Sequence, residues 1–241
     1  MDQDSATLAE ALRGFSLRRG ADLFGIADLA PARSAIVSQG GPTVASFPRA
    51  ISLGMRLSDT VVDDHEPTEA HAESLYWHHV YGVVTPSLDF LANDVARWLA
   101  ARGYRTLAVP ASMPYNVQRL QGIFSHKLGA RLAGLGWIGK SSLLLTEQFG
   151  PRVRFATVLT DAPLETGAPL DRGCGTCRAC VDACPVGAFT GAEFNDTDDL
   201  AVRFNAPSCK DYRKSHACGV CVASCPKGMA RAHRKQTAPR D

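Results

Sequence analysis

The sequence predicts an α+β protein, built from a layered α/β domain over residues 1–165 and a small cysteine-rich unit over residues 166–230. Two observations carry this prediction. Segments with strand character alternate with amphipathic helical segments as far as about residue 165. All eight cysteines follow that point, between Cys174 and Cys225. A basic tail, residues 231–241, comes after them.

Apolar spacing and start or stop signals mark the elements of the first domain. Leu8, Leu12 and Phe15 share one helical face between a capping Ser5 and a terminating Gly20. The remaining predicted strands are 23–27, 50–57, 106–109 and 153–159, and the remaining predicted helices are 86–102 and 127–135. A loop with Gly40, Gly41, Pro42 and Pro48 joins the first two strands.

The helix at 86–102 has the strongest signal. Thr85 is predicted to cap it, Pro86 lies in its first turn, and Gly103 ends it. Its apolar stripe comprises Leu88, Leu91, Val95, Trp98 and Leu99.

Composition narrows the classes of function. Hydrophobic residues make up 45% and charged residues 21% of the 241-residue chain, as in an ordinary soluble protein. The formal net charge of +2 gives no nucleic-acid signal, and no apolar run approaches the roughly 20 residues of a membrane span. Asp22 and Asp28 interrupt the apolar region that an export signal would need after Arg18 and Arg19. We therefore expect a cytoplasmic protein whose thiols bind metal rather than form disulfides.

The cysteines fall into two runs that are typical of iron-sulfur clusters. The first has the CxxCxxCxxxCP spacing of bacterial two-cluster ferredoxins and comprises Cys174, Cys177, Cys180 and Cys184. The second, CxxCxxxCP, comprises Cys218, Cys221 and Cys225, with Cys209 upstream as the remaining thiol. We therefore predict a ferredoxin-like domain that carries two 4Fe-4S clusters.

The spacing also predicts how the ligands are shared. Three thiolates of one tight loop reach one cluster, while the cysteine before proline serves the other cluster. The first cluster is assigned Cys174, Cys177, Cys180 and Cys225, and the second Cys209, Cys218, Cys221 and Cys184. Two structural zinc sites are the alternative, because zinc also binds four thiolates from CxxC pairs. The spacing before proline favours iron-sulfur clusters.

A glycine-rich turn at 134–141, GLGWIGKS, formally matches two phosphate-binding patterns. Such patterns bind phosphate when a strand enters the turn and a helix leaves it. Here the preceding residues have helical character, and Trp137 and Ile138 are bulky. The glycines are therefore predicted to permit close packing against a neighbouring element or a cofactor.

This turn belongs to a longer stretch with a family resemblance. The segments AGLGWIGKSSLLL at 133–145, TDAPL at 160–164, CGTCRACVDACPVGA at 174–188 and CGVCVASCPKG at 218–228 resemble epoxyqueuosine reductase. They are similar, more distantly, to the reductive dehalogenases. The resemblance is to a short form of the family, without its carboxy-terminal helical repeats.

The resemblance implies a cobalamin-binding first domain, related to the flavin nitroreductase fold. Electrons would pass from a donor through two 4Fe-4S clusters to cobalt. The candidate cofactor-binding residues that follow from it are Gly134, Gly136, Trp137, Gly139, Lys140 and Ser141, with Lys140 meeting a phosphate or propionamide of the cofactor.

One position departs from the family pattern. Epoxyqueuosine reductases carry a catalytic aspartate ahead of the glycine turn, whereas no acidic residue lies between Gly103 and Gly139 in this sequence. His126 and Tyr115 are the candidate catalytic proton donors instead, because an imidazole or a phenol can donate to a developing anion. A structural helix-face histidine is the alternative for His126.

An aromatic segment comprises Tyr76, Trp77, His78, His79 and Tyr81. These side chains either line a pocket for a corrin or flavin ring or pack into the core, and core packing is favoured.

These features favour a cobalamin-dependent iron-sulfur reductase. Its substrate would be a small molecule or a modified nucleoside, and its electron donor a reduced ferredoxin or flavodoxin-type protein. The alternative is an electron-transfer protein that reduces a separate corrinoid protein. Flavin chemistry of the nitroreductase kind is a third class, and it follows from the fold relationship alone.

Overall fold

The structure is a computed structural model that describes residues 3–66, 69–113, 116 and 120–228. The strands are β1 (Leu23–Asp28), β2 (Arg49–Arg56), β3 (Thr106–Val109), β4 (Trp137–Ile138), β5 (Leu144–Leu145) and β6 (Val153–Thr160). The helices are α1 (Gln3–Arg18), α2 (Arg33–Ala45), α3 (Asp59–Asp63), α4 (Ala70–Trp77), α5 (Thr85–Ala100), α6 (His126–Leu132), α7 (Ala179–Asp182), α8 (Ala206–Tyr212) and α9 (Val220–Ala223). Across these described ranges, every helix is too short or too polar to cross a membrane.

A four-stranded sheet organises the first part of the fold. Its strands lie in the order β1-β2-β6-β3. Strand β1 pairs antiparallel with β2, from Leu23 opposite Gly54 to Asp28 opposite Arg49, and β3 pairs antiparallel with β6. Because helices cover an antiparallel-paired sheet, the predicted α+β class is confirmed.

The residues group into two compact units that interleave along the chain. The first unit comprises residues 1–55, 83–136 and 154–170, and the second comprises 56–82, 137–153 and 171–241. A single boundary near residue 165 therefore does not describe the chain. Segments 56–82 and 137–153, which the prediction assigned to the amino-terminal domain, belong to the cysteine-rich unit.

The core of the first unit forms where helices pack on the sheet. Helix α5 packs against β3 and α1, and α6 packs against β1. The predicted stripe of α5 is buried at Leu88, Leu91, Val95 and Leu99. The strands and the helices predicted at 5–19, 86–102 and 127–135 are confirmed to within a few residues.

Two local predictions in the first unit were wrong. The predicted loop between β1 and β2 is largely helix α2, which bends at Gly41, where φ is 80°, and resumes at Pro42. Ile36 and Val44 of this helix are buried, so tertiary packing outweighs the turn-forming composition. Thr85 is not a cap, because a π-helical turn over residues 78–84 runs directly into α5.

Short elements make up the second unit. Strands β4 and β5 pair with each other, and the short helices α7 and α9 are in contact. Each of these helices carries the second cysteine of a CxxC pair, Cys180 on α7 and Cys221 on α9. The guanidinium of Arg152 is fully buried and forms ion pairs with Asp59 at 3.2 Å and Asp63 at 2.5 Å. These two carboxylates lie on α3, which also contacts α9.

Candidate metal centre

Four thiols from the two cysteine runs surround one cavity in the second unit. The cavity has about 470 Å³ of empty space, including the part open to solvent. The thiols that line it are Cys174, Cys177, Cys180 and Cys225. The structure thus brings together the set predicted for the first cluster, including the cysteine that comes from the other run.

Local backbone conformation positions three of these thiols. Gly175 has a φ of 58°, in the left-handed region that favours glycine, which lets the chain turn directly after Cys174. The amide of Cys177 donates to the carbonyl of Cys174 at 3.3 Å, and helix α7 then carries Cys180. Three thiols therefore come from one tight turn and the helix that follows it.

The electrostatics of this cavity disfavour four free thiolates. Burial raises the pKa of the Cys225 thiol to about 11, and the thiols of Cys180, Cys174 and Cys177 add to the rise. Burial likewise raises the pKa of Cys180, while a hydrogen bond with Ser141 opposes that rise. Ligand thiols must deprotonate to bind metal, so the positive charge of iron would offset this penalty.

The second predicted set of ligands also lies together. Burial raises the pKa of Cys209, and the neighbouring thiols of Cys218 and Cys184 raise it further. Burial is also the main cause of the raised pKa of Cys221, whose charged neighbours include Cys218, Cys209 and Cys184. The backbone amide of Ala188 donates to the Cys184 sulfur at 3.3 Å.

The cavity fits a cluster in one further respect. The indole Nε1 of Trp137, which lines the cavity, is buried without a hydrogen-bond partner among the described residues. A cluster sulfur would give such a donor an acceptor.

The glycine-rich turn divides between the two units. Helix α6 precedes the turn, strand β4 lies within it and strand β5 follows it, so the strand-turn-helix context of a phosphate loop does not occur here. In the first unit, Gly134 has a φ of 74°, and a Cβ there would lie 2.5 Å from the carbonyl oxygen of Ala168. Gly136 is buried at the end of this segment.

The rest of the turn contacts the first thiol set. A Cβ on Gly139 would lie 3.2 Å from the Cys174 sulfur, so the glycine permits close approach of that ligand. Trp137 and Ser141 line the cavity. Lys140 donates to the carbonyls of Gly175 at 2.5 Å and Cys177 at 3.2 Å. That these residues bind cobalamin stays a prediction.

Of the two candidate proton donors, the structure describes only His126. Tyr115 lies outside the described residues. The His126 Nε2 donates to the carbonyl of Pro110 at 2.9 Å, and its Nδ1 lies 2.8 Å from the hydroxyl of Thr157. Both ring nitrogens are therefore engaged within the first unit, and burial lowers the pKa of the imidazole. This geometry favours the structural alternative for His126 over the predicted catalytic role.

The aromatic segment is only partly a core element. Tyr76 is buried, and its ring packs against Gly219 in the second cysteine run. Trp77 is 52% exposed and packs against Tyr81 in a tilted arrangement, with ring centroids 4.6 Å apart. His79 Nε2 accepts a hydrogen bond from a backbone amide at 2.8 Å.

Three residues around the cysteines were not predicted. Both carboxylate oxygens of Glu193 accept from the Cys174 amide, at 3.1 and 3.2 Å. The amide of Gly219 donates to Nε2 of His65 at 2.8 Å. Arg213 lowers the otherwise raised pKa of Cys209 by its charge. Only Arg213, at the carboxy-terminal end of helix α8, had a sequence signal, which is its four-residue spacing from Cys209.

Known proteins resemble this chain in both sequence and fold. Residues 173–229 match the family described as a 4Fe-4S dicluster domain. An epoxyqueuosine reductase of Leadbetterella byssophila is 33% identical over 116 residues, which are 44% of this chain and 38% of that protein. One of Gloeobacter violaceus is 30% identical over 154 residues, which are 59% of this chain and 45% of that protein. Over these matched residues the chain is similar in sequence to the epoxyqueuosine reductases. It covers less than half the length of these two relatives.

Solved structures share the fold of this chain. A reductive dehalogenase, whose structure suggests a mechanism for B12-dependent dehalogenation, matches 97% of this chain and 34% of its own with a TM-score of 0.69 and 22% identity. The epoxyqueuosine reductase of Bacillus subtilis, with its catalytic aspartate loop swung out of the active site, matches 93% of this chain and 66% of its own with a TM-score of 0.59 and 18% identity. The predicted resemblance to both groups is confirmed, and the dicluster match favours iron-sulfur clusters over zinc.

Proposed function

We propose that this protein is an iron-sulfur reductase that passes electrons through two 4Fe-4S clusters to a bound cobalamin for reductive cleavage of an organic substrate. The observation that carries the proposal is the convergence of Cys174, Cys177, Cys180 and Cys225 on one cavity. A crossed ligand set of this kind is how two-cluster ferredoxins hold adjacent clusters. The substantial first unit, which a simple ferredoxin does not need, supports a reaction beyond electron transfer.

The two ligand sets have defined roles in this proposal. Cys174, Cys177, Cys180 and Cys225 hold the first cluster, and the remaining four thiols hold the second. A reduced ferredoxin or flavodoxin-type protein supplies electrons one at a time. The low dielectric around the buried thiols makes nearby charges effective in setting each cluster's potential.

Two exposed apolar side chains of the first unit are candidates to contact a large ring system. Phe90 is 73% and Met113 is 66% exposed. The amide of Ala111 donates to the carboxylate of Asp89 at 2.7 Å, which holds the segment before Met113 against helix α5, where Phe90 lies. Exposed apolar surface of this kind commonly binds a ligand or partner. Cobalamin, when bound, supplies low-valent cobalt as the nucleophile or reductant.

A second candidate function has its own support. The sequence has no acidic residue between Gly103 and Gly139, where the family keeps its catalytic aspartate. His126, the replacement predicted there, has both ring nitrogens engaged. These observations favour an electron-transfer protein that reduces a separate partner, such as a corrinoid protein.

One spectroscopic experiment separates the two functions. The protein is purified without oxygen, reconstituted with iron and sulfide, mixed with hydroxocobalamin, and examined by visible spectroscopy after gel filtration and again after addition of a one-electron reductant. Under the reductase proposal, a corrin band co-elutes in near-equal amount and shifts to the reduced cobalt form. Cluster absorbance without a corrin band supports the electron-transfer function, and a flavin spectrum supports the third class.

A matched variant sharpens this experiment. Cys177→Ala removes one ligand of the first cluster and leaves the first unit unchanged. We expect it to retain the corrin band and to lose or slow the reductant-driven shift. A variant that reduces cobalamin at the wild-type rate contradicts electron flow through the first cluster.

A further inference from the structure

A buried cation lies inside the loop that carries the first thiol set. Lys140 is only 7% exposed. Its ammonium donates to the carbonyls of Gly175 at 2.5 Å and Cys177 at 3.2 Å, both within the first CxxC pair. The charge is therefore held against the ligand loop rather than in solvent.

One carboxylate completes this arrangement. Glu193 Oε1 lies 3.7 Å from the Lys140 Nζ, and the same carboxylate accepts from the amide of Cys174. The Glu193 side chain is 44% exposed, whereas that of Lys140 is 8% exposed. Water screens the carboxylate more than the ammonium, so the pair leaves a net positive influence on the cavity.

This charge has a defined effect on reduction. A 4Fe-4S cluster with four thiolate ligands is negatively charged, and reduction adds one further negative charge. A fixed cation nearby stabilises the reduced form more than the oxidised form, and this difference is large where the dielectric is low. The cluster then accepts an electron more readily.

We propose that the buried positive charge of Lys140 raises the reduction potential of the first cluster. This is the cluster held by Cys174, Cys177, Cys180 and Cys225. The step that it favours is the transfer of one electron from a ferredoxin or flavodoxin-type donor, which is oxidised, to this cluster, which is reduced, with no bond made or broken. The inference rests on the proposed function for the presence of the clusters and needs no cobalamin.

The test is a redox titration of the iron-loaded protein without cobalamin, monitored by electron paramagnetic resonance. Lys140→Met removes the charge. At the potential where the first cluster of the wild type is half reduced, we expect the ratio of reduced to oxidised first cluster in this variant to be roughly tenfold lower or more. Lys140→Arg keeps the charge and should retain a wild-type ratio. The potential of the second cluster serves as an internal reference.

Two further variants give the matched controls. Lys214→Met removes an equal charge from an exposed lysine that pairs with Asp211, and it should leave the first cluster unchanged. Glu193→Gln keeps an acceptor for the Cys174 amide but removes the negative charge, and it should shift the first cluster's ratio in the opposite direction to Lys140→Met.

The outcomes distinguish this inference from the proposed function. An unchanged ratio in Lys140→Met, or an equal fall in Lys214→Met, overturns the role of Lys140. If Lys140→Met does not assemble the first cluster, an unchanged ratio in Glu193→Gln overturns it instead. Failure of the wild type to bind cobalamin counts against the reductase alone, and failure to assemble clusters counts against both proposals.

Discussion

At the residue scale, burial makes the free thiolates of the second unit unfavourable until they bind metal. Burial raises the pKa values of the Cys180, Cys209 and Cys225 thiols and so favours their protonated, neutral form when no metal is bound. Bound iron replaces those protons. The residues that matter most are therefore those that converge across the two runs, above all Cys225, which sequence order places far from Cys174.

The crossing of ligands makes a direct prediction. Cys225→Ala should abolish the cluster of the first run, although the substitution lies in the second run, and iron should fall from about eight to about four per chain. Cys184→Ala, the matched substitution in the first run, should abolish the other cluster. Iron analysis and electron paramagnetic resonance check both variants. Loss of the same cluster in both variants would contradict the crossed assignment.

His126 makes a prediction about stability and pH. Burial lowers its pKa in the folded protein below its ordinary value of about 6.5, with Arg154 acting in the same direction and Pro110 and Asp89 opposing. As the pH falls through 6.5, the unfolded chain therefore binds more protons, and the free energy of unfolding decreases. His126→Gln should weaken this dependence and lower stability by about 1–3 kcal/mol at pH 7.5.

Urea unfolding of the iron-loaded protein from pH 7.5 to 5.5 measures that dependence. His65 and His79, whose pKa values burial also lowers, account for the slope that persists in the variant. Iron content and cluster spectra should stay unchanged. A His126→Gln protein with wild-type stability and lost substrate turnover would restore the catalytic role.

At the element scale, the turn after helix α6 brings Gly134 into close contact with the backbone of Ala168. Gly134→Ala would combine a φ of 74° with a Cβ 2.5 Å from the carbonyl oxygen of Ala168. We expect a loss of about 2–4 kcal/mol, since both backbone strain and a steric clash oppose folding.

Gly103→Ala is the control for that substitution. Gly103 has a φ of 87°, but no atom lies within 4 Å of the position of an added Cβ. Only the conformational strain remains, so the loss should be about 1 kcal/mol. Chemical unfolding of both variants gives the comparison, and equal losses would show that the contact with Ala168 relaxes at no cost.

Elements with strong local signals were predicted well, and elements decided by distant contacts were not. The stripe of helix α5 and the stop at Gly103 specify that helix locally. Helix α2 could not be predicted, because Gly41 and Pro42 read as a turn, whereas the burial of Val44 stabilises a second helical turn after the bend. Cysteine spacing predicted the thiol sets, but Glu193 lies 19 residues from its partner Cys174 and has no local signal.

At the scale of the whole molecule, the two units depend on different stabilising interactions. The first has an extended apolar core around Phe47, Phe124 and Leu159. The apolar cluster beside the first cavity is small, with Trp137, Leu145 and Cys225 as its buried members. Metal binding therefore contributes to folding mainly in the second unit.

Iron removal should then affect the units unequally. Hydrogen exchange of peptides from residues 171–228 should accelerate by about tenfold or more after chelation, whereas peptides from helix α5 and strand β1 should change little. The measurement compares reconstituted and chelated protein at one pH and temperature. Equal acceleration in both units would mean that their stabilities are not separable.

The interleaving of the two units also constrains how the protein is made. Segments 56–82 and 137–153 leave the ribosome before any cysteine does, and their unit lacks its full ligand set until Cys225 has emerged. Domains usually fold in order during synthesis. Here the cysteine-rich unit cannot fold in order, because its earliest segment, 56–82, belongs to the same unit as Cys225. Iron-sulfur delivery to both sites therefore has to wait until synthesis has passed residue 225, and a ribosome stalled before that residue would carry thiols whose ligand sets are incomplete.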